Sequence, residues 1–424
     1  MSRDSGRRLL SIGAGADWEQ NSSTLQTGRS SWLHHALRWV DNMRVPGSVC
    51  HYRLHVGAEP TVFASCFALF FLCLCRETEK WSREEKTAWL EYIQSFQRPD
   101  NGLFSDPNAK ARITDAAHDQ SHLDNQLTGF CLSALRIFGV ESRYPILYVE
   151  RWFDPNYMRH WLDQLNWRQC SNSGNKAMFI AIMLTAELER GNARARDGLK
   201  SWFQWHNENA EKVTSYWGEK VECRYFQGMK GFVHQFLIYN YMECKVPNLH
   251  AATDRTLLLQ QPDGLFSPML DGGSCDDLDA IHILSCSYHF EPYRRNEIKA
   301  ALRRCLGPLL GNQNPDGGFC WAQRRKLSFK DWISLTLHNI RTGDPLLTYL
   351  ALRTALSGQI HLKKMIKTGW SSGARNWSDS SLWDTWFRVL AIAEIDTVLN
   401  PETALQRWNR INTPNFSWFA IPQT

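Results

Sequence analysis

The feature that most constrains this chain is an alternation of two kinds of helical segment, repeated six times. One kind is apolar nearly all the way round, and the other carries apolar residues on one face only. Ser82 to Phe96 typifies the second kind. Ser82 and Glu85 form a capping box, and Trp89, Tyr92, Ile93 and Phe96 recur at i, i+3, i+4 and i+7. Thr61 to Cys75 typifies the first. The apolar members are expected at about 60–75, 121–138, 174–190, 229–243, 276–290 and 381–395, and their amphipathic partners at about 31–43, 82–96, 155–165, 194–209, 251–261 and 296–311. A basic stretch, Arg324 to Lys330, and an extra helix near 345–357 interrupt the pattern before its last apolar member. Period-two alternation is nearly absent.

A helix that is apolar all round must be buried on every side. Six of them, alternating with amphipathic helices, predict an all-α chain folded as an (α/α)6 barrel, or toroid. Six inner helices would be wrapped by six outer ones in a single domain over 30–424, behind a flexible N-terminal tail over 1–29. An open solenoid is the alternative, and it would expose the second apolar face of each inner helix.

Of the 424 residues, 43% are hydrophobic and 21% charged, which excludes a disordered, collagen-like or coiled-coil chain. The net charge of +5 reads as diffuse and makes no case for nucleic acid. Aromatic residues make up 12%, enough for some rings to line a cavity. Twelve Cys without a C-x-x-C pair read as small buried hydrophobes in a reducing compartment, Cys66, Cys73, Cys75, Cys131, Cys286 and Cys305 among them. The N-terminus has no apolar core of a secretory signal, and the longest apolar run, Thr61 to Cys75, is shorter than the ~20 residues that span a bilayer. The expectation is a cytoplasmic protein with no transmembrane span, with peripheral membrane contact left open.

The turns repeat as well. Gln97-Arg98-Pro99-Asp100-Asn101-Gly102-Leu103-Phe104 recurs as Gln260-Gln261-Pro262-Asp263-Gly264-Leu265-Phe266 and as Gln313-Asn314-Pro315-Asp316-Gly317-Gly318-Phe319. Near the C-terminus, Gly369-Trp370-Ser371-Ser372 leads through Trp377 to Trp383-Asp384-Thr385-Trp386-Phe387. This pattern resembles the repeat of the prenyltransferase and squalene-cyclase superfamily, over about residues 80–395. The resemblance implies an α/α toroid and a terpenoid cyclase-like enzyme that holds an isoprenoid in its barrel.

Candidate chemistry is expected where the inner helices begin, because their N–H groups and dipoles favour anions. The strongest cluster is Asp276, Asp277 and Asp279, after Gly272 to Cys275. Asp276 and Asp279 share a helical face, and Asp277 points elsewhere. Crowded carboxylates resist joint ionisation, so one can stay protonated and donate a proton to an alkene or epoxide. Class II cyclases use Asp-x-Asp-Asp for this, whereas the order here is Asp-Asp-x-Asp. The alternative is a diphosphate held through Mg²⁺. No cofactor is favoured. Zinc is disfavoured because Cys275 precedes the acids, unlike the prenyltransferase Asp-x-Cys ligand order. A second cluster holds His118 and His122, with Asp124. A third holds Trp377, Trp383, Asp384 and Trp386, whose rings could stabilise cations. Glu59, Arg224, Tyr225 and Lys230, together with Asn175 and Lys176, are further rim candidates for substrate contact. Two other functions fit the same residues. One is a carbohydrate-active (α/α)6 hydrolase, lyase or epimerase, and the other a non-catalytic toroid that binds a partner.

Overall fold

The computed structural model describes residues 31–110, 119–219, 226–268, 272–323, 328–356 and 365–417. The N-terminal stretch expected as a flexible tail lies outside the described residues. Helices dominate. The amphipathic series is α1 (Ser31–Asn42), α3 (Arg83–Gln94), α5 (Pro155–Gln164), α7 (Ala195–Asn209), α9 (Leu249–Leu258) and α11 (Arg295–Leu310). The apolar series is α2 (Val62–Leu74), α4 (Gln120–Ile137), α6 (Cys170–Glu189), α8 (Phe226–Tyr241), α10 (Ser274–Phe290) and α14 (Leu382–Leu399). Each falls where hydrophobic periodicity places it. The extra helix is present as α13 (Pro345–Leu356). Its neighbour α12 (Phe329–Thr342) starts inside the stretch read as a basic interruption, behind a capping box made by Ser328 and Asp331. Two 3₁₀ helices (Glu77–Lys80 and Leu147–Phe153), a short α15 (Pro401–Arg407) and two antiparallel ladders, β1 (Met365–Lys367) with β2 (Ala374–Asn376) and β3 (Asn412–Thr413) with β4 (Phe416–Ser417), complete the elements of the described residues.

The apolar series packs in chain order: α2 on α4, α4 on α6, α6 on α8, α8 on α10 and α10 on α14. The last helix then packs on the first, α14 on α2, through Phe67 against Trp383 and Phe70 against Trp386. This explains why Thr61 to Cys75 is so apolar: every residue of α2 except Leu72 is buried. Its N-terminus is capped by the Thr61 side chain. Cys66, Cys73, Cys75, Cys131, Cys286 and Cys305 are all buried.

The repeated turns act as staples. Gln97, Gln260 and Gln313 each donate a side-chain N–H to the carbonyl of a glycine in their own turn, Gly102, Gly264 and Gly317 respectively. Each also donates to backbone outside its turn: Tyr144 O and Ala301 O further along the chain and, in the last repeat, Trp32 O back on α1. Gly317 has φ +99°, and a Cβ there would lie 2.4 Å from His35 O, also on α1. The final turn of the series is thus bound to the first helix of the chain. The aromatic that ends each turn is held in the same way. Phe104 N donates to Thr128 Oγ1, Phe319 N to Thr385 Oγ1 and Phe266 N to Asp277 Oδ1, at 2.9, 3.0 and 2.9 Å.

The tightest helix pair is α6 on α8, which meet at glycines. A Cβ on Gly231 would lie 2.7 Å from Cys170 O. Gly231→Val is therefore expected to destabilise the fold by about 1–3 kcal/mol, as overpacking does, read as a lower denaturation midpoint. An unchanged midpoint would remove the close approach as a determinant of this contact.

Outside the apolar series, His206 on α7 is enclosed by the rings of Trp202, Trp205 and Trp217, and its Nδ1 lies 2.8 Å from Trp202 O. Burial pushes its pKa down to about 3. The unfolded chain takes up this proton near the ordinary value of about 6.5 and the folded chain does not. Stability is therefore lost as pH falls from about 6.5 towards 3. His206→Phe should flatten the dependence of the denaturation midpoint on pH in that window, and an unaltered slope would show that other groups set it.

Candidate active site

A cavity of about 820 Å³ lies among the apolar helices, within the ~300–1,000 Å³ typical of small-molecule sites. Five of the six helices contribute one face each, at helical spacing. α10 supplies Cys275, Leu278, Asp279 and His282, and α14 supplies Trp383, Phe387, Leu390 and Glu394. α8 gives Gln227, Lys230, His234 and Leu237; α6 gives Asn172, Asn175, Met178 and Phe179; α4 gives His122, Gln126 and Phe130. Two pieces of loop close over these faces. Trp370 stacks on Trp383 with ring centroids 4.2 Å apart and donates its Nε1–H to Gln126 Oε1 at 2.6 Å. Phe416 stacks on Phe130, and Asn415 donates to Ser133 Oγ at 3.1 Å.

Polar groups gather towards the helix starts, and rings and aliphatic residues fill the rest. Asp279 lines the cavity and is 8% exposed. Burial holds its carboxyl well above the usual range, a shift that Lys230 opposes and Asp276 reinforces. Lys230 pairs with Asp276 at 2.8 Å. Burial works against its charge, but Asp276, Cys275 and Asp279 outweigh it and hold the ammonium above its ordinary value. Burial and the Lys230 charge push His234 down to about 3, so that ring is neutral near pH 7. One turn below Asp279, His282 Nδ1 lies 2.8 Å from Glu394 Oε1, and Asn240 Nδ2 lies 3.4 Å from His282 Nε2. Burial works to lower the His282 pKa, but Cys286 and Glu394 raise it further, and the net shift is upward. The other Glu394 oxygen, Oε2, is buried with no hydrogen-bond partner.

Of the residues singled out in the sequence, His122, Asn175, Lys230, Asp279 and Trp383 line this cavity. The remaining described ones lie elsewhere, each for a definable reason. Asp276 turns to Lys230 and to Ser267 Oγ. Asp277 is fully buried, accepts from Phe266 N and Ser267 N, and faces Arg388 at 3.5 Å. Burial pushes its carboxyl up to about 7 against the pull of Arg388 and the two amides. It fills the place that Thr128 and Thr385 hold in the other staples, so the third acid of the cluster belongs to the turn. Asp384 is fully buried and bonded to Arg375, to Ser381 and to Ser274 Oγ. Asp124 binds Gln120 Nε2 at 2.9 Å, Trp377 packs beside Trp321, and Trp386 is buried against Phe70 and Phe416. The Glu59 side chain is exposed, and its backbone N–H bonds Ser372 Oγ. Glu59, Asp277 and Asp384 are thus not brought together at the cavity. His118, Arg224 and Tyr225 lie outside the described residues.

Several lining residues were not anticipated: His234, His282, Glu394 and Phe416. A charged or imidazole side chain within an otherwise apolar helix, continuing the face of Asp279 at i+3, was the available signal for His282. Glu394 shows the same signal, in the run from Leu390 to Val398.

Among the described residues no group of three His, Cys, Asp or Glu side chains is placed to hold a metal ion, and no helix is long and apolar enough to cross a membrane. No family model, no curated protein and no solved structure matches this chain.

Proposed function

We propose that the protein is an enzyme of terpenoid-cyclase type, built as an (α/α)6 toroid, that protonates an isoprenoid held in the cavity. The unbroken run of contacts from α2 through α14 and back to α2, and the turn of Gln313 stapled to α1, support the closed arrangement.

The observation that carries the functional reading is Asp279. It is a carboxyl whose pKa burial raises well above the usual range, in a cavity whose walls include Phe130, Phe179, Trp383 and Phe387. An acid that is neutral near pH 7 can give its proton to an alkene. The cation so formed is stabilised by aromatic faces. Lys230 and Asp276 neutralise each other beside it, as do Asp277 and Arg388. Asp276 and Asp277 are therefore engaged with partners of their own and turned from Asp279, which favours protonation over the Mg²⁺-diphosphate alternative.

The deciding experiment incubates the protein with linear isoprenoids, squalene, oxidosqualene and geranylgeranyl diphosphate, and analyses extracts by mass spectrometry. Ring products isomeric with one substrate are expected, and EDTA should leave their yield unchanged. Full loss with EDTA and rescue by Mg²⁺ would move the reading to metal-assisted ionisation. No conversion of any acyclic isoprenoid would sink it.

A second reading rests on His282 and Glu394. A hydrogen-bonded imidazole–carboxylate pair in a cavity that Asn172 and Asn175 also line is also suited to acid–base work on a sugar. Turnover of oligosaccharides or uronates, with none of polyenes, would select it.

A further inference from the structure

The positive charge of this chain is not spread evenly. Residues 324–367 carry nine Lys or Arg and two Asp or Glu, a surplus of seven. The whole chain has a surplus of five, so the rest of the sequence is slightly acidic. This segment is also where apolar side chains face solvent. On α12, Phe329, Ile333, Leu337 and Ile340 fall at i, i+4, i+8 and i+11, one helical face, and are 77%, 38%, 51% and 54% exposed. Lys330 and Arg341 are exposed on the same helix, and Tyr349 and Leu352 are exposed on α13.

The stripe is not the spare side of a poorly packed helix. The opposite face of α12 buries Leu335, Thr336, Asn339 and Thr342. Trp332 donates its Nε1–H to Ala351 O at 2.9 Å, which locks α12 to α13. The hairpin is also anchored at the cavity end of the molecule. Asp344, in its turn, accepts from Phe226 N, the first residue of α8, at 3.0 Å, and Arg255 donates to Thr342 O at 3.0 Å. Gln227 and Lys230, in the first two turns of α8, line the cavity.

We propose that the α12–α13 hairpin docks the protein on the surface of an anionic lipid bilayer, with α12 lying in the interface plane. A helix that pairs a row of large apolar side chains with Lys and Arg buries the first in the acyl boundary and sets the second among headgroups. At about 21 Å long, α12 lies along the surface and does not span. Charge selects this occupant over a second copy of the chain, because the exposed Lys330 and Arg341 beside the apolar row would meet their own kind on a second copy. The apolar row selects it over nucleic acid, whose phosphates offer Phe329 and Leu337 nothing. Docking in this way brings the cavity end of the molecule to the membrane. The inference stands independently of the acid chemistry above, since binding is measured without turnover.

The test is co-sedimentation of the full chain with vesicles of phosphatidylcholine alone and of phosphatidylcholine with phosphatidylserine. Binding is expected to the mixed vesicles and to weaken as salt rises. The double variant Leu337→Ser/Ile340→Ser should lower apparent affinity about tenfold or more. Lys330→Glu/Arg341→Glu should abolish the preference for phosphatidylserine. Leu147→Ser, at an exposed site on a different element, should bind as the unaltered chain does. Failure to sediment with either vesicle overturns the proposal, as does binding that the stripe variant leaves unchanged. Self-association dispersed by Leu337→Ser/Ile340→Ser without vesicle binding, or capture of nucleic acid alone, overturns it as well.

Discussion

Asp279→Asn is expected to leave the protein folded and to lower turnover by about 10²- to 10⁴-fold, the range over which a positioned general acid contributes. The amide has nearly the same shape, and the cavity can accept it without repacking. It has no proton of the required acidity. In the unaltered protein the proposed reaction should slow as pH rises through the raised pKa of Asp279, because the proposal makes the protonated form the active one. That descending limb should disappear in the variant. Matched circular dichroism spectra with full turnover would remove Asp279 from the mechanism. Lost turnover together with a large drop in denaturation midpoint would mean that its role is structural.

The opposite outcome is expected at Asp277. Asp277→Ala should destabilise the protein by about 3–5 kcal/mol, as removal of one member of a buried ion pair does. Arg388 is fully buried, and its Nε–H is already committed to Cys320 O at 2.8 Å. Without Asp277 its charge keeps no carboxylate, and the amides of Phe266 and Ser267 lose their acceptor. Urea or guanidinium melts of Asp277→Ala and Asp279→Asn, run side by side, separate the two residues. Equal losses of stability would contradict the division between staple and cavity.

The two residues also show what could be read from sequence. The helical face argument divides Asp276 and Asp279 from Asp277, because i and i+3 lie together and i+1 does not. It cannot say which direction is the cavity. That depends on Phe266, eleven residues earlier, whose N–H claims Asp277 through the turn. The apolar helices were legible because burial on all sides leaves no polar face to interrupt the run, as in α2 and α14. α12 was not, because its exposed face is apolar and its flanks are basic, the reverse of the usual amphipathic code. Glu394 and His282 were missed for a related reason. Each is a buried polar group with apolar neighbours on either side in sequence, and it meets a partner more than a hundred residues away; pairwise closeness at that range is invisible to local spacing. Trp386 and Trp377 show the converse. Aromatic enrichment raised them as cavity candidates, and packing against Phe70 and Trp321 accounts for them.

The contact between α2 and α14 has a consequence for biosynthesis. α2 is the greasiest helix of the chain, and the surface that covers its second side begins only at Leu382. At translation rates of roughly 5–20 residues per second, that helix waits on the order of half a minute for its partner to be made. During that interval α2 can lean on α4 alone, and the side later taken by Trp383 and Trp386 is open to any apolar surface in the cell. Truncations that stop before α14 should therefore be recovered bound to chaperones or as aggregates, because the segment needed to shield the beginning of the polypeptide is among the last to be synthesised.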